Sequence, residues 1–446
     1  MLFRSRNTGF YDFQVRFYRI FSPMQRGLPP ISTDPQVALR RAFNGLRRKR
    51  FHDPELPAEY LGAPDLGSLA VRGPYACYTR RPRKNAPWEW DLRMLDNYEH
   101  HPGLVKIGSR VLFREDPVRR SLQAYRIDCT LGSIKPTDAE WDQACKIALC
   151  AATTHLSLVR HFNWVHLAGG AQLAIATRNS LTRNHPLFRL LWPYIVGTLQ
   201  SNDIVTRGQM ARGGDFETTF SFTFKGMCEL FDDTYKEYHH SVNDPETDGN
   251  SRQVRGAKFD TPTQQNLEEL FDVTHSFVRN YLDIYYPRNA NGTKAVRSDA
   301  ELMAWLDELN TFVPNGVGVS RKDVTCDRLA RMLAGQLYLV TVQHEILGSF
   351  MWNYQLWTHR QPARIYQDFR PEPLDVYQRL VNANYILNVH RRALMHNFDD
   401  LALDDDARAA MLRFQSELVA LQAKLDSHPH AVWRICPRDL KVNINA

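Results

Sequence analysis

Residues 147 to 177 form a course of thirty-one in which Arg160 is the sole Asp, Glu, Lys or Arg. The course follows Pro136-Thr137-Asp138-Ala139-Glu140-Trp141, which places acids where the positive end of a helix favours them. The chain is therefore expected to thread one long buried helix through its centre. His155, His161 and His166 all fall inside this course. A buried imidazole is usually a satisfied core residue, but three of them in so apolar a segment raise metal ligation as a candidate. On a regular α-helix, residues five apart diverge by about 140° and residues six apart by about 120° the other way. Neither pair converges on one ion unless the helix is irregular, as in a π-bulge with hydrogen bonds five residues apart. Metal binding here predicts a distorted helix.

The 446 residues are 43% hydrophobic and 11% aromatic, enough for a large core, and Gly and Pro are too few for a low-complexity or collagen-like chain. No run of eighteen apolar residues passes without a charge, and Arg4, Arg6, Asp12 and Arg16 stand where a signal peptide needs an apolar stretch. Seven cysteines without a CxxC pair suit reduced thiols, so a cytoplasmic location is expected. Of the formal charge of +7, residues 1 to 60 supply most, with eleven Lys or Arg against five Asp or Glu. Arg40, Arg41, Arg47, Arg48, Lys49 and Arg50 come with no nucleic-acid motif, so no nucleic-acid partner is expected. Phe10, Phe13, Phe17 and Phe21 share the arm at near-helical spacing. They suit either docking on the protein's own core, with the arginines in water, or a peripheral membrane contact through residues 1–50.

Pro, Gly and Arg dominate residues 20 to 100, which read as loops and short elements, so the chain divides into an N-terminal extension, 1–100, and a catalytic domain, 101–446. Further helices are expected at 185 to 199, 263 to 285, 299 to 309, 326 to 350, 373 to 387 and 405 to 425. Residues 239 to 262 and 286 to 298 read as surface loops, and alternating strands are few. The fold class expected is mainly α.

Several ordered motifs go further. His161 and His166 are followed by Ile175-Ala176-Thr177, then by Asn184-His185-Pro186-Leu187-Phe188-Arg189-Leu190-Leu191-Trp192-Pro193-Tyr194, and then by Thr198-Leu199 and Asn202. Tyr285-Tyr286 precedes the acidic stretch Asp299 to Leu309 with Trp305 inside it, Val340-Thr341-Val342-Gln343-His344 comes later, and the sequence closes on Lys441 to Ala446. This series resembles the lipoxygenase family over roughly residues 100 to 446. Nothing before it looks like the N-terminal β-barrel that many eukaryotic members carry, so the resemblance is to a compact, bacterial-type form.

The resemblance implies a helical domain around a long, bulged central helix and a non-haem iron held by histidines and a terminal carboxylate, with manganese as the other metal such ligands suit. An ungapped count from Trp141 places His161 and His344 on ligand positions and Leu156 on the first one. His155, one residue before it, is then the expected partner, and His166 is its rival, because it follows His161 at the family's own ligand spacing. The main-chain carboxylate of Ala446 would close the set, while Gly348 stands where the family often has a fourth side-chain ligand. Val205 falls where a small residue lines the oxygen path, and Gln209 where a leucine lines the pocket. The implied activity is hydrogen abstraction from an unsaturated lipid or other apolar alkene, followed by O2 insertion to a hydroperoxide. Other readings are isomerisation or dehydration of a preformed hydroperoxide, oxidation of a specialised metabolite, and a degenerate homologue that only binds lipid.

Overall fold

The computed structural model describes residues 65–370, 380, 393–428 and 434–444. The basic arm with its phenylalanines, Ala446, and nearly all of the helix expected at 373 to 387 lie outside the described residues. The architecture is mainly α, as the residue pattern predicts, with one small antiparallel sheet packed on the helices.

The sheet has four strands in sequence order: β1 Trp88–Asp91, β2 Arg110–Asp116, β3 Ser121–Cys129 and β4 Gly132–Ile134. Trp88 and Trp90 project from β1 into the core, and the buried Glu89 is met by Arg110 at 2.6 Å and Arg80 at 3.2 Å. Val111, Leu112 and Phe113 are all buried because the register shifts between Leu112 and Phe113. That bulge turns consecutive side chains inward and erases the alternation by which a strand is read from sequence.

The sheet also corrects the expected boundary at residue 100. β1 pairs with β2 across it, Trp88 opposite Phe113 and Asp91 opposite Arg110. Leu66, Tyr75 and Trp90 belong to the same hydrophobic core as the helices, so the described residues before 101 are part of this body. A composition rich in Pro and Arg marks irregular backbone, and irregular backbone is still buried when its aromatic side chains are.

The central helix begins as α1, Trp141–His155, continues without a break as a π-helix, Leu156–Ala171, and ends as α2, Gln172–Ser180. Next come α3 Pro186–Ile195, α4 Thr198–Gly208, α5 Phe224–Lys236, α6 Pro262–Tyr285, α7 Ala300–Phe312 and α8 Cys326–Tyr338. α8 runs into two further π-helical turns, Leu339–Gln343 and Ile346–Phe350, and α9 spans Asp405–Asp426. The stretches expected as loops carry short helices, Pro245–Ser251 and Ala290–Ser298, started by the side-chain caps Asp244 and Asn289. No helix of the described residues is long and apolar enough to cross a membrane. The seven cysteines are all described, and none forms a disulfide.

Several of the ordered motifs prove architectural. His185 caps α3, its Nδ1 accepting from Leu187 N at 3.1 Å, while its Nε2 lies 3.1 Å from Asp299, which itself caps α7. The Tyr286 hydroxyl donates to the same carboxylate at 2.5 Å. Trp305, fully buried on α7, donates to Thr177 Oγ1 of α2 at 3.2 Å. These bonds fasten α3 and α7 against the end of the central helix and so fix its position.

Candidate metal centre

The π-helix brings together what an α-helix would keep apart. His161 and His166, five residues apart, face each other with ring centroids 4.8 Å apart and Nε2 atoms 3.2 Å apart. His344, on the helix that follows α8, closes the group with its ring 5.1 Å from each of the other two. All three are buried, and their ligand nitrogens lie within 4.8 Å of one another.

The wide π-helical turn is accommodated by glycines. A Cβ on Gly169 would lie 2.3 Å from Leu339, and one on Gly170 would lie 2.2 Å from Ile444, so the second histidine helix and the terminal segment approach closer than any side chain would permit. Gly348 makes the same argument inside the cluster. A Cβ there would sit 2.7 Å from His161 Nε2, so the residue four beyond His344 contributes room for the imidazole and no ligand.

Outer hydrogen bonds fix which nitrogen faces inward in two of the rings, His166 and His344. Asn202 of α4 donates its amide to the His166 carbonyl at 2.9 Å, which leaves its Oδ1 to accept from His166 Nδ1 at 2.8 Å. His166 therefore carries its proton on Nδ1 and presents the Nε2 lone pair toward His161. His344 Nδ1 likewise meets the Glu345 carboxylate at 3.0 Å. Burial, and then the neighbouring His166, His344 and Lys441, push the His161 pKa well below its ordinary value, so this ring is neutral at physiological pH. Inward lone pairs on converging imidazoles, with outer nitrogens tied to an amide and a carboxylate, are the arrangement by which proteins hold a divalent transition metal. These residues fit such an ion.

Glu345 belongs to a wholly buried chain of charge. Its second oxygen pairs with Lys441 Nζ at 3.0 Å, and Nζ donates to Ser349 Oγ at 2.7 Å. Burial favours the neutral carboxyl, but Lys441 and His344 outweigh it and hold the Glu345 pKa at about 2. Neither residue was singled out as part of the site from sequence. For Glu345 the available signal is isolation, since it is the sole Asp, Glu, Lys or Arg between Arg331 and Arg360. A lone charge in apolar surroundings asks for a buried partner.

His155, expected to complete the ligand set, stands apart from the three clustered imidazoles. His155 lies at the last residue of α1, before the π-helix begins, and its Nδ1 is 2.8 Å from the Tyr78 hydroxyl. Its ring stands edge-on to Tyr78 and Trp164, and burial pushes its pKa down to about 3. His166 occupies the place expected of it. Val205 is buried on α4, one turn beyond Asn202, while Gln209 caps the end of α4 and is partly exposed. The terminal segment runs past the site, with Asn443 bonded to the Pro193 and Val196 carbonyls and Ile444 packed toward Gly170.

A helical domain whose pitch-distorted central helix presents two buried imidazoles to a third from another distorted helix defines an α fold built around a buried three-histidine cluster that could hold a metal ion. Comparison with known proteins specifies the class. The Lipoxygenase family model matches residues 123–317. The rat polyunsaturated fatty acid lipoxygenase ALOX15B is 23% identical over 319 residues, 65% of this chain and 45% of that protein. The human hydroperoxide isomerase ALOXE3 is 26% identical over 242 residues, 52% of this chain and 32% of that protein. The crystal structure of Delta413-417:GS LOX superposes with a TM-score of 0.81 at 16% identity, covering 98% of this chain and 74% of that one. Over these residues the chain is similar to the lipoxygenase family, and it spans under half the length of these curated relatives.

Proposed function

We propose that the chain is a non-haem iron dioxygenase of the lipoxygenase type, acting on an unsaturated lipid to give a hydroperoxide. The observation that carries this reading is the convergence of three buried imidazoles, two of them with their outer nitrogens tied. His161, His166 and His344 would hold the metal, and Asn202 and Glu345 orient the rings. When bound, iron supplies the one-electron chemistry by which a hydrogen atom leaves a bis-allylic carbon and O2 adds to the resulting radical. The protein's own part is to keep that carbon dry and placed. Phe162 stacks on His166 at 5.2 Å and is backed by Phe216 and Phe231, an apolar wall that excludes water from one side of the cluster. Val205 and Gln209 would shape the substrate side, and the larger Val205 narrows the path that O2 would take.

Metal analysis of protein purified without chelator, joined to oxygen uptake with linoleate and arachidonate, tests this reading. Stoichiometric iron with uptake is the expected result. Iron without uptake, but with consumption of a fatty-acid hydroperoxide, would replace the dioxygenase by an isomerase like the human relative. Manganese in place of iron would change the metal assignment, and absence of any bound metal would overturn the proposal.

A further inference from the structure

Two basic segments, residues 80–84 and 252–258, are tied together by the backbone bond from Arg81 N to the Arg252 carbonyl at 3.1 Å. Between them opens a polar cleft of about 650 Å3. That volume falls within the roughly 300–1,000 Å3 of small-molecule sites. Its lining holds four cations, Arg81, Lys84, Arg255 and Lys258, against one carboxylate, Glu115. None of His161, His166, His344, Val205 or Gln209 lines it, so the cleft is separate from the metal centre.

The four cations are not equivalent. Glu115 pairs with Arg81 Nη2 at 2.7 Å and accepts the Trp88 indole N–H at 2.8 Å, while the Arg81 guanidinium lies over the Trp88 ring at 4.3 Å. Arg255 pairs with Glu246 at 2.7 Å and with Glu268 at 3.0 Å. Those two charges are matched. Lys84 and Lys258 are exposed on the same cleft, and among the described residues neither has an ion pair or a side-chain hydrogen bond. Two unmatched ammonium groups on one concave surface repel each other and concentrate anions there. Asn85, Asn250 and Gln253 add exposed amides that, among the described residues, make no side-chain hydrogen bond. Gln253 holds φ at 63°, the left-handed conformation that follows the Pro245–Ser251 helix and favours glycine. An amide is kept on the cleft where the backbone prefers no side chain.

We propose that this cleft binds a phosphomonoester with a hydroxylated body, its dianion matched by Lys84 and Lys258 and its hydroxyl groups by the free amides. A phosphomonoester carries about −1.5 to −2 charges at neutral pH, which two ammonium groups balance. Lysine meets phosphate as a point charge and needs no planar partner. The same group occurs on a free sugar phosphate and on the head of an inositol-phosphate lipid. Such a ligand takes no part in the chemistry proposed at the imidazoles.

The test is calorimetric titration of the full chain with glucose 6-phosphate, glucose and inorganic phosphate, at low salt and at a pH well above the second phosphate pKa of about 6. Glucose 6-phosphate is expected to bind at least about tenfold more tightly than inorganic phosphate, and glucose without phosphate to give no measurable binding. Lys84→Gln combined with Lys258→Gln should weaken glucose 6-phosphate at least about tenfold and leave metal content unchanged. Gln253→Gly, which the left-handed backbone accepts, should bring glucose 6-phosphate toward the affinity of inorganic phosphate without loss of thermal stability. Sedimentation with phosphatidylcholine vesicles carrying a phosphatidylinositol monophosphate separates the two sources. Vesicle binding that the double lysine variant loses assigns the lipid head, and vesicle binding that is absent, or unchanged in that variant, assigns the free sugar phosphate. Glucose 6-phosphate binding no more tightly than inorganic phosphate, or with affinity unchanged in the double lysine variant, would overturn the proposal.

Discussion

His155 and His166 sit eleven residues apart on one continuous helix, both buried, and they have opposite chemical fates. At the α-helical end, a single imidazole bonds a tyrosine hydroxyl and packs edge-on against aromatic rings. In the π-helical middle, two imidazoles face each other and a third, and the outer bonds of His166 and His344 turn their other nitrogens inward. Burial is common to the two regions, so burial does not make a ligand. What separates them is the pitch of the helix and the identity of the group that holds the outer nitrogen.

The largest expected effect is therefore on metal content. Replacing His161, His166 or His344 with Ala should abolish retained metal, whereas His155→Ala should keep it and lower stability by roughly 1–3 kcal/mol for the unmet partner left behind. Elemental analysis beside thermal unfolding separates the four variants, and full metal in His166→Ala would break the contrast between the two ends of the helix.

Next in size is the buried charge behind His344. Glu345→Gln leaves Lys441 without its carboxylate and should cost about 3–5 kcal/mol, and it should weaken metal binding about 10–100-fold by loosening the imidazole. Glu345→Gln combined with Lys441→Met should recover much of the stability but not the metal affinity, because the carboxylate that orients His344 is still missing. A double-mutant cycle in denaturant melts and competitive metal titrations reads both quantities, and recovery of affinity along with stability would deny Glu345 its orienting part.

The smallest effect belongs to the other end. Tyr78→Phe removes one neutral hydrogen bond and should cost about 1 kcal/mol with metal content untouched. The pH dependence carries a definite sign. His155 has its folded pKa depressed to about 3, against about 6.5 for an unfolded histidine. Between those values the unfolded chain binds the proton and the folded chain does not, so stability is lost as pH falls from about 6.5 toward 3. His155→Gln should flatten that slope in urea melts at stepped pH, and an unchanged slope would assign it to other groups.

Much of this could be read from residues alone. The course with Arg160 as its one charge and with three histidines announced the central helix and tied metal binding to its irregularity, and the ordered motifs from His161 to His344 carried the family resemblance. Less legible were groups whose meaning depends on a distant partner. Asn202 was visible as part of a motif, yet its task of fixing the His166 tautomer exists because α4 crosses the π-helix there. Glu345 and Lys441 are ninety-six positions apart and become one ion pair through the docking of the terminal segment.

The sequence by itself determined that a long apolar helix carries several imidazoles into the interior, since an uncharged segment of that length is stable there and unstable in water. Tertiary structure alone decided which imidazoles meet. A helix's pitch is set by the close approach of its neighbours at Gly169 and Gly170, and a change from α to π turns rotates every later side chain relative to every earlier one. Counting along the chain conserves spacing but not rotation, so it left His155 and His166 as rivals, and the packing of two helices placed His166 beside His161 and His344.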